Sequence, residues 1–266
     1  MLDRFNRPID YLRISVTDRC NLRCVYCMPA EGIKLIDHSA VLSFEEITDF
    51  TRCAVEMGIR KVRLTGGEPL VRKGIVSLVA MLSSIGGVQD LSMTTNAILL
   101  PRYAMDLKRA GMHRVNISLD TIDPRKYQAI TRGGDIQEVF EGIEAARQAG
   151  LFPIKINCVI KKSLEEPDAL EVRRYCEEQG LMARFIGEMD IEKGRYGIVH
   201  GGTGGNCASC NRLRLTSDGF LKPCLFNDIA FDIRMLNFRE ALRMAIEQKP
   251  EFGAQSTSHK FYNIGG

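Results

Sequence analysis

The chain has 266 residues, 45% of them apolar, and a formal net charge of +3. That length suits one large α/β domain or a domain with a small appendage. The charge is too mild to argue for nucleic acid, yet it leaves room for a local basic pocket. No run approaches the roughly 18 apolar residues of a membrane span, and the opening MetLeuAspArgPheAsnArgPro lacks an apolar signal-peptide core. Nine cysteines without an export signal point to a reducing cytoplasm, where clustered thiols bind metal or do redox chemistry.

The first strand is predicted from Tyr11 (TyrLeuArgIleSerValThr). Shortly after it comes CysAsnLeuArgCysValTyrCys, which places Cys20, Cys24 and Cys27 in a C-x3-C-x2-C spacing. Three thiolates on one short loop suit three irons of a single [4Fe–4S] cube. Such cubes are usually held by four cysteines, so the fourth iron is left open to a small molecule. Zinc is the competing reading, but closed zinc sites want four ligands and the nearest histidine is His38. A disulfide framework is disfavoured by the odd number and the expected compartment.

Ser43-Phe44-Glu45-Glu46 reads as a capping box opening a helix that Gly58 ends. Further strands are expected from Lys61, Asp90, Arg114, Pro153 and Met182. Asp135 to Gly150 and Pro167 to Gly180 carry helix start and stop signals. Repeated βα units predict a parallel sheet with helices outside. The expected fold class is α/β: a partial (β/α)6 TIM-like barrel over 1–190, a glycine-rich connection over 191–206, and a small C-terminal iron–sulfur and substrate-binding segment over 207–266. Six glycines between Gly194 and Gly205 mark the connection as non-helical. A last helix is expected from Asn237, with Glu240 completing a capping box, to about Gln248.

In such folds chemistry gathers at the carboxyl ends of the strands. The cysteine trio follows the first strand, and Gly66, Gly67 and Glu68 of GlyGlyGluPro follow the second. Thr94 ends the third and Ser118 the fourth. Lys155 and Asn157 lie on the fifth, Arg184 on the sixth, and Met189 just beyond it. A second trio, Cys207, Cys210 and Cys224, is spaced C-x2-C-x13-C, with a zinc ribbon short of one ligand as its competing reading. All these groups are expected to share one barrel mouth, with the two trios facing each other across it. Cys53, Cys158 and Cys176 read as ordinary small core residues.

The trio, GlyGlyGluPro and the strand order resemble the radical S-adenosylmethionine (SAM) superfamily. The runs ArgIleSerValThrAspArgCysAsnLeuArgCysValTyrCysMetPro and CysAsnArgLeuArgLeuThrSerAspGlyPheLeuLysProCysLeu, with the GlyGly end, are similar to the molybdenum-cofactor biosynthesis protein A family, the GTP 3′,8-cyclases. That resemblance implies a radical SAM lyase with two [4Fe–4S] clusters. Reductive cleavage of SAM would give a 5′-deoxyadenosyl radical, and GTP would become 3′,8-cyclo-7,8-dihydro-GTP. It further implies that Cys20, Cys24 and Cys27 hold the SAM cluster and that Tyr26 borders SAM. Gly66, Gly67 and Glu68 would take the SAM amino group; Thr94, Ser118, Asn157 and Arg184 would contact SAM, and Met189 would back its adenine. Cys207, Cys210 and Cys224 would hold the second cluster, whose open iron takes the guanine base.

Arg212 and Arg214 sit at alternate positions, so a strand points both the same way. With Arg13, Lys61, Arg63 and Lys155 they are expected to form a cationic pocket for the triphosphate, with Arg13, Arg212 and Arg214 as the catalytic set. Gly265 and Gly266 match a tail that enters the pocket. The implied partners are a downstream pterin-forming synthase, an electron donor such as flavodoxin or ferredoxin, and a second copy in a homodimer, with neither nucleic acid nor membrane. The chain departs from the family in having only Asp190 to Asn206 where relatives carry several tens more residues. Two other functions are weighed: another radical SAM enzyme with an auxiliary cluster, such as a peptide-modifying maturase, and a non-catalytic zinc-binding scaffold.

Overall fold

Alternation of polar and apolar residues along most of the parallel strands decides this architecture. The computed structural model of the chain describes residues 1–189 and 197–254. In chain order the main elements are β1 (Tyr11–Ser15), α1 (Phe44–Glu56), β2 (Lys61–Thr65), α2 (Ile75–Ser83), β3 (Asp90–Thr95), α3 (Leu100–Arg109), β4 (Arg114–Ser118), α4 (Pro124–Thr131), α5 (Ile136–Gln148), β5 (Lys155–Ile160), α6 (Pro167–Gln179) and β6 (Met182–Gly187). After the glycine-rich stretch come β7 (Arg212–Leu215), β8 (Phe220–Lys222), β9 (Phe231–Asp232) and α7 (Phe238–Glu247). The helix ends follow local chemistry. Ser43 and Glu46 form the reciprocal cap of α1, and Gly180 ends α6 in the left-handed conformation. Asn237 caps α7 by accepting from the Arg239 N–H, one residue short of the expected box with Glu240.

The six expected strands are present and parallel, ordered β6-β5-β4-β3-β2-β1. The sheet then continues through β7-β8-β9. β7 pairs parallel with β1, with Arg13 beside Arg214, whereas β8 and β9 return antiparallel. The C-terminal residues therefore extend the same sheet on the far side of β1.

One face of the sheet carries Leu12, Ile14, Val62, Leu64, Leu91, Met93, Val115, Ile117, Ile156 and Cys158, all buried in the main core. Helices cover this face. A parallel sheet usually has apolar residues on both faces, but here the second face is polar. Register places Arg214, Arg13, Arg63, Ser92 and Arg114 in one row across five strands. Thr94, Asn116 and Lys155 form another row, and Ser118, Asn157 and Arg184 a third.

The sheet curls around this face. Arg184 on β6 acts electrostatically on Tyr11 and Arg212, although β6 and β7 are six places apart in the strand order. The connection helps to close the gap. His200 bridges to Phe185 of β6, and Arg212 Nη2 of β7 donates to the Thr203 carbonyl at 3.2 Å. Gly205 turns there with φ +80, and a Cβ on it would lie 2.1 Å from the Gly197 carbonyl oxygen. Among the described residues no helix is long and apolar enough to cross a membrane.

Phe50 of α1 is fully buried and packs edge-on against Phe238 of α7, with ring centroids 5.5 Å apart. Phe50→Ala is expected to cost about 3–5 kcal/mol in urea unfolding of the apoprotein. Met235→Ala, at a site 81% exposed, should stay within about 0.5 kcal/mol of the parent.

Candidate functional site

The loop after β1 is fixed to its neighbours by backbone bonds. Cys27 and Met28 N–H groups both donate to the Cys24 carbonyl at 3.0 Å, while Arg23 and Val25 N–H groups donate to Thr131 and Ile130 of α4. Arg132 Nη1 donates to the carbonyls of Arg23 and Met28. These contacts hold Cys20, Cys24 and Cys27 above the carboxyl end of β1. Burial pushes the Cys20 thiol up to about 11. Burial, and then the neighbouring Cys27 and other negative groups, push Cys24 up to about 12. The mutual influence of the three sulfurs reflects their proximity. Among the described residues, however, no three Cys, His, Asp or Glu side chains gather closely enough to hold one metal ion.

Gly66 and Gly67 meet this loop directly. A Cβ on Gly67 would lie 2.2 Å from the Arg19 carbonyl oxygen, and one on Gly66 would lie 2.5 Å from that of Thr17. Gly67 and Glu68 N–H groups donate to these same two carbonyls. The glycines thus admit the base of the cysteine loop. Glu68, expected to face an ammonium, is turned into the protein. Its carboxylate accepts from Leu70 N–H, Thr95 Oγ1 and Asn96 N–H, tying β2 to β3. Burial pushes its carboxyl up to about 7, against the lowering effect of these donors.

Tyr26, its ring half-exposed, donates its hydroxyl to Asp120 Oδ2 at 2.7 Å. The other oxygen of Asp120 accepts from Val159 N–H. Thr94, Ser118, Asn157 and Arg184 all lie on the polar face. Thr94 Oγ1, Arg184 Nε and Asn116 Nδ2 are buried without a hydrogen-bond partner among the described residues. Buried polar atoms are normally satisfied, so these mark a place for a polar ligand. Met189 lies two residues past β6 and is partly exposed.

The second trio does not share the first trio's mouth. Cys207 and Cys210 precede β7, which runs parallel to β1. Cys224 follows β8, which returns antiparallel. All three therefore lie at the amino-terminal end of β1, whereas the first trio lies at its carboxyl end. The expectation of a single mouth fails because an additional parallel strand was entered from its opposite end. The two trios cap opposite ends of one polar face. A five-residue strand such as β1 spans about 17 Å at ~3.3 Å per residue.

Between the trios lies a concentration of positive charge. Arg13, Arg63, Arg114, Arg184, Arg212, Arg214 and Lys155 share the face, and Asp90 is the one carboxylate within the described strands β1 to β7. Burial, followed by Arg214, holds Arg13 well below the usual guanidinium range. Burial lowers Arg63 to about 10, and burial with Arg184 and Arg114 lowers Lys155 to about 8. Tyr11 sits under two of these cations, with its ring centre 5.4 Å from Arg63 and 5.8 Å from Arg212. Lys61 stands at the rim, bound to Asp10 at 2.8 Å. Gly265 and Gly266 lie outside the described residues.

Sequence reasoning missed Arg114, Tyr11 and Asn116, which the alternation along β1 and β4 could have exposed. It also missed Arg7 and Lys249. Both are buried beside the second trio, and neither stands in a recognisable motif.

Known proteins resemble this chain along its length. The Radical SAM superfamily model matches residues 14–176, and the Molybdenum Cofactor Synthesis C model matches residues 168–253. A GTP 3′,8-cyclase of Petrotoga mobilis is 40% identical over 314 aligned positions, covering 98% of this chain and 95% of the relative. One of Alkaliphilus oremlandii is 43% identical over 316 positions, covering 100% and 98%. Both alignments are longer than this chain's 266 residues, so the relatives carry dozens of positions without a counterpart here. Among solved structures, Streptococcus suis SuiB bound to precursor peptide SuiA superposes with TM-score 0.57 at 18% identity, covering 70% of this chain and 40% of that one. Methylornithine synthase gives 0.55 at 16% identity, covering 69% and 54%. These structural likenesses establish the α/β partial-barrel fold.

Gly67→Ala is expected to push Arg19, and Cys20 with it, out of place. The folded variant should retain less than half of the parent's iron at the first trio after anaerobic reconstitution. Glu68 gives a pH signature in the apoprotein. Its raised folded pKa means that its stabilising contribution is full below pH 4.5 and lost as pH rises through about 7. Urea unfolding across that window should show a flatter pH dependence for Glu68→Gln than for the parent.

Proposed function

The chain belongs to the radical SAM superfamily and, within it, to the GTP 3′,8-cyclases, and on that premise we propose that it converts GTP to 3′,8-cyclo-7,8-dihydro-GTP in molybdenum-cofactor biosynthesis. The observation that carries this reading is the row of arginines running between cysteine trios at opposite ends of one concave face. The donor chemistry suits iron–sulfur cubes at both ends, with the first taking SAM and the second taking the guanine of GTP. Cys20, Cys24 and Cys27 would hold the first cluster, which would supply the electron for reductive cleavage of SAM.

The protein's own groups set the geometry. Arg184 suits the SAM carboxylate, because a guanidinium pairs with a carboxylate through two parallel bonds. Thr94, Ser118 and Asn157 offer neighbouring polar contacts. Gly66 and Gly67 offer backbone groups, Tyr26 and Met189 border the site, and Glu68 fixes the β2 and β3 ends from behind. Arg13, Arg63, Lys155, Arg212 and Arg214 hold the triphosphate. Their mutual repulsion in a buried site is relieved by a polyanion, which favours phosphate over an uncharged substrate. Lys61 joins them by exchanging Asp10 for a phosphate. In the proposed binding mode GTP lies along the strand direction, with its base toward the second trio and its ribose toward SAM.

The reaction is of the lyase class and belongs in the cytoplasm. It needs an electron donor such as flavodoxin or ferredoxin, and a downstream synthase takes the product to a pterin. A homodimer is part of the same proposal. The cationic face sets this reading apart from a peptide-modifying maturase or a zinc scaffold, since neither calls for a triphosphate site.

The test is an anaerobic assay with dithionite, SAM and GTP, followed by oxidation to a fluorescent pterin. The parent should bind about eight irons, as two four-iron cubes, and make pterin. Cys24→Ala should stop SAM cleavage. Cys210→Ala should retain some cleavage and make no pterin. Arg13→Ala or Arg214→Ala should each weaken GTP binding by about ten- to a hundredfold, as expected for loss of a charge-assisted contact. Pterin formed normally by Cys210→Ala would remove the second trio from the reaction.

A further inference from the structure

Next to the second trio, one charged side chain is sealed inside the protein. Lys249 lies just past α7 and is 1% exposed. Its Nζ donates to the carbonyls of Arg212 at 2.7 Å and Pro223 at 2.6 Å. Cys210 lies near enough to act on it electrostatically.

These acceptors are placed on both halves of the trio. Arg212 stands two residues after Cys210, and Pro223 immediately precedes Cys224. Lys249 therefore joins the turn before β7 to the turn after β8. Burial is the largest influence on it and disfavours its charged form, while Cys210 and Cys224 favour that form and Arg7 opposes it. A buried ammonium is costly unless it is hydrogen-bonded and balanced by charge. An anionic, thiolate-held group at this trio would supply that balance.

A second buried cation secures the same corner. Arg7 bonds Asp3 at 2.7 Å and donates to the carbonyls of Cys207, Pro250 and Glu251. Two of those carbonyls directly follow Lys249 in sequence. The backbone that presents the lysine is thus pinned to the turn that presents Cys207.

We propose that Lys249 is the positioning residue and fixed counter-charge of the second cluster, holding Cys210 and Cys224 at their spacing and favouring the cluster's more reduced state. This rests on the second-cluster reading given above. An added electron is stabilised by a neighbouring cation in a low-dielectric site, and partners of metal ligands commonly govern retention of the metal.

The experiment compares anaerobically reconstituted full-length parent, Lys249→Met and Lys249→Arg. It follows iron loss to a chelator and the midpoint potentials by electron paramagnetic resonance. In the parent, the second cluster is identified as the iron pool missing from Cys210→Ala. Lys249→Met is expected to lose that pool about ten- to a hundredfold faster than the parent and to shift its potential downward. It should keep the first pool and SAM cleavage. Lys249→Arg, which retains the charge, should recover most of the potential. Parent-like retention and potential in Lys249→Met would overturn the proposal. So would equal loss of both pools, which would mark the lysine as a support of the whole fold, and so would an Arg variant shifted as far as Met. A parent with only one iron pool would instead overturn the second-cluster reading itself.

Discussion

The structure depends on one unusual constraint: a parallel sheet that buries an apolar face against helices while crowding cations onto the other. Arg13, Arg63, Arg114 and Arg214 stand side by side because register puts them there. Such a row is unfavourable on its own, since each guanidinium loses water and faces like charge. Asp90 satisfies Arg114, and Tyr11 offers its ring to Arg63 and Arg212. A polyanionic ligand removes much of the remaining cost. The fold keeps its hydrophobic stabilisation on the other face, where the core is continuous, so the polar face is free to serve chemistry.

Placing the trios at opposite ends of this face follows from strand direction. β1 delivers its cysteines at its carboxyl end, as βα folds do. β7 adds to the other side of β1 in the same direction, so the cysteines that precede it arrive at the opposite end. The antiparallel return through β8 brings Cys224 back to them. On the proposed reading, a substrate between the two trios would be aligned with the strands, and the arginines would meet it along its length.

Much of this was legible from sequence. The six parallel strands were marked by short apolar alternation between capped helices, and both cysteine spacings stood out. Arg212 and Arg214 were read correctly as neighbours on one strand face. The relation between the two trios was not legible, because it depends on which edge of the sheet β7 joins and in which direction. GlyGlyGluPro was found for a sound reason, but its geometry is mainly internal. The glycines admit Thr17 and Arg19, and Glu68 is spent on Leu70, Thr95 and Asn96. Lys249 was invisible for a similar reason, since a lysine after an amphipathic helix looks solvated until tertiary structure surrounds it.

The most direct measurement is the distance between the two proposed clusters in the fully reconstituted protein, read from their magnetic dipolar coupling. Two cubes at the ends of a five-residue strand should lie on the order of 17 Å apart, with GTP and SAM fitting between them. A separation of a few ångströms, or the absence of any second paramagnetic centre, would contradict the arrangement.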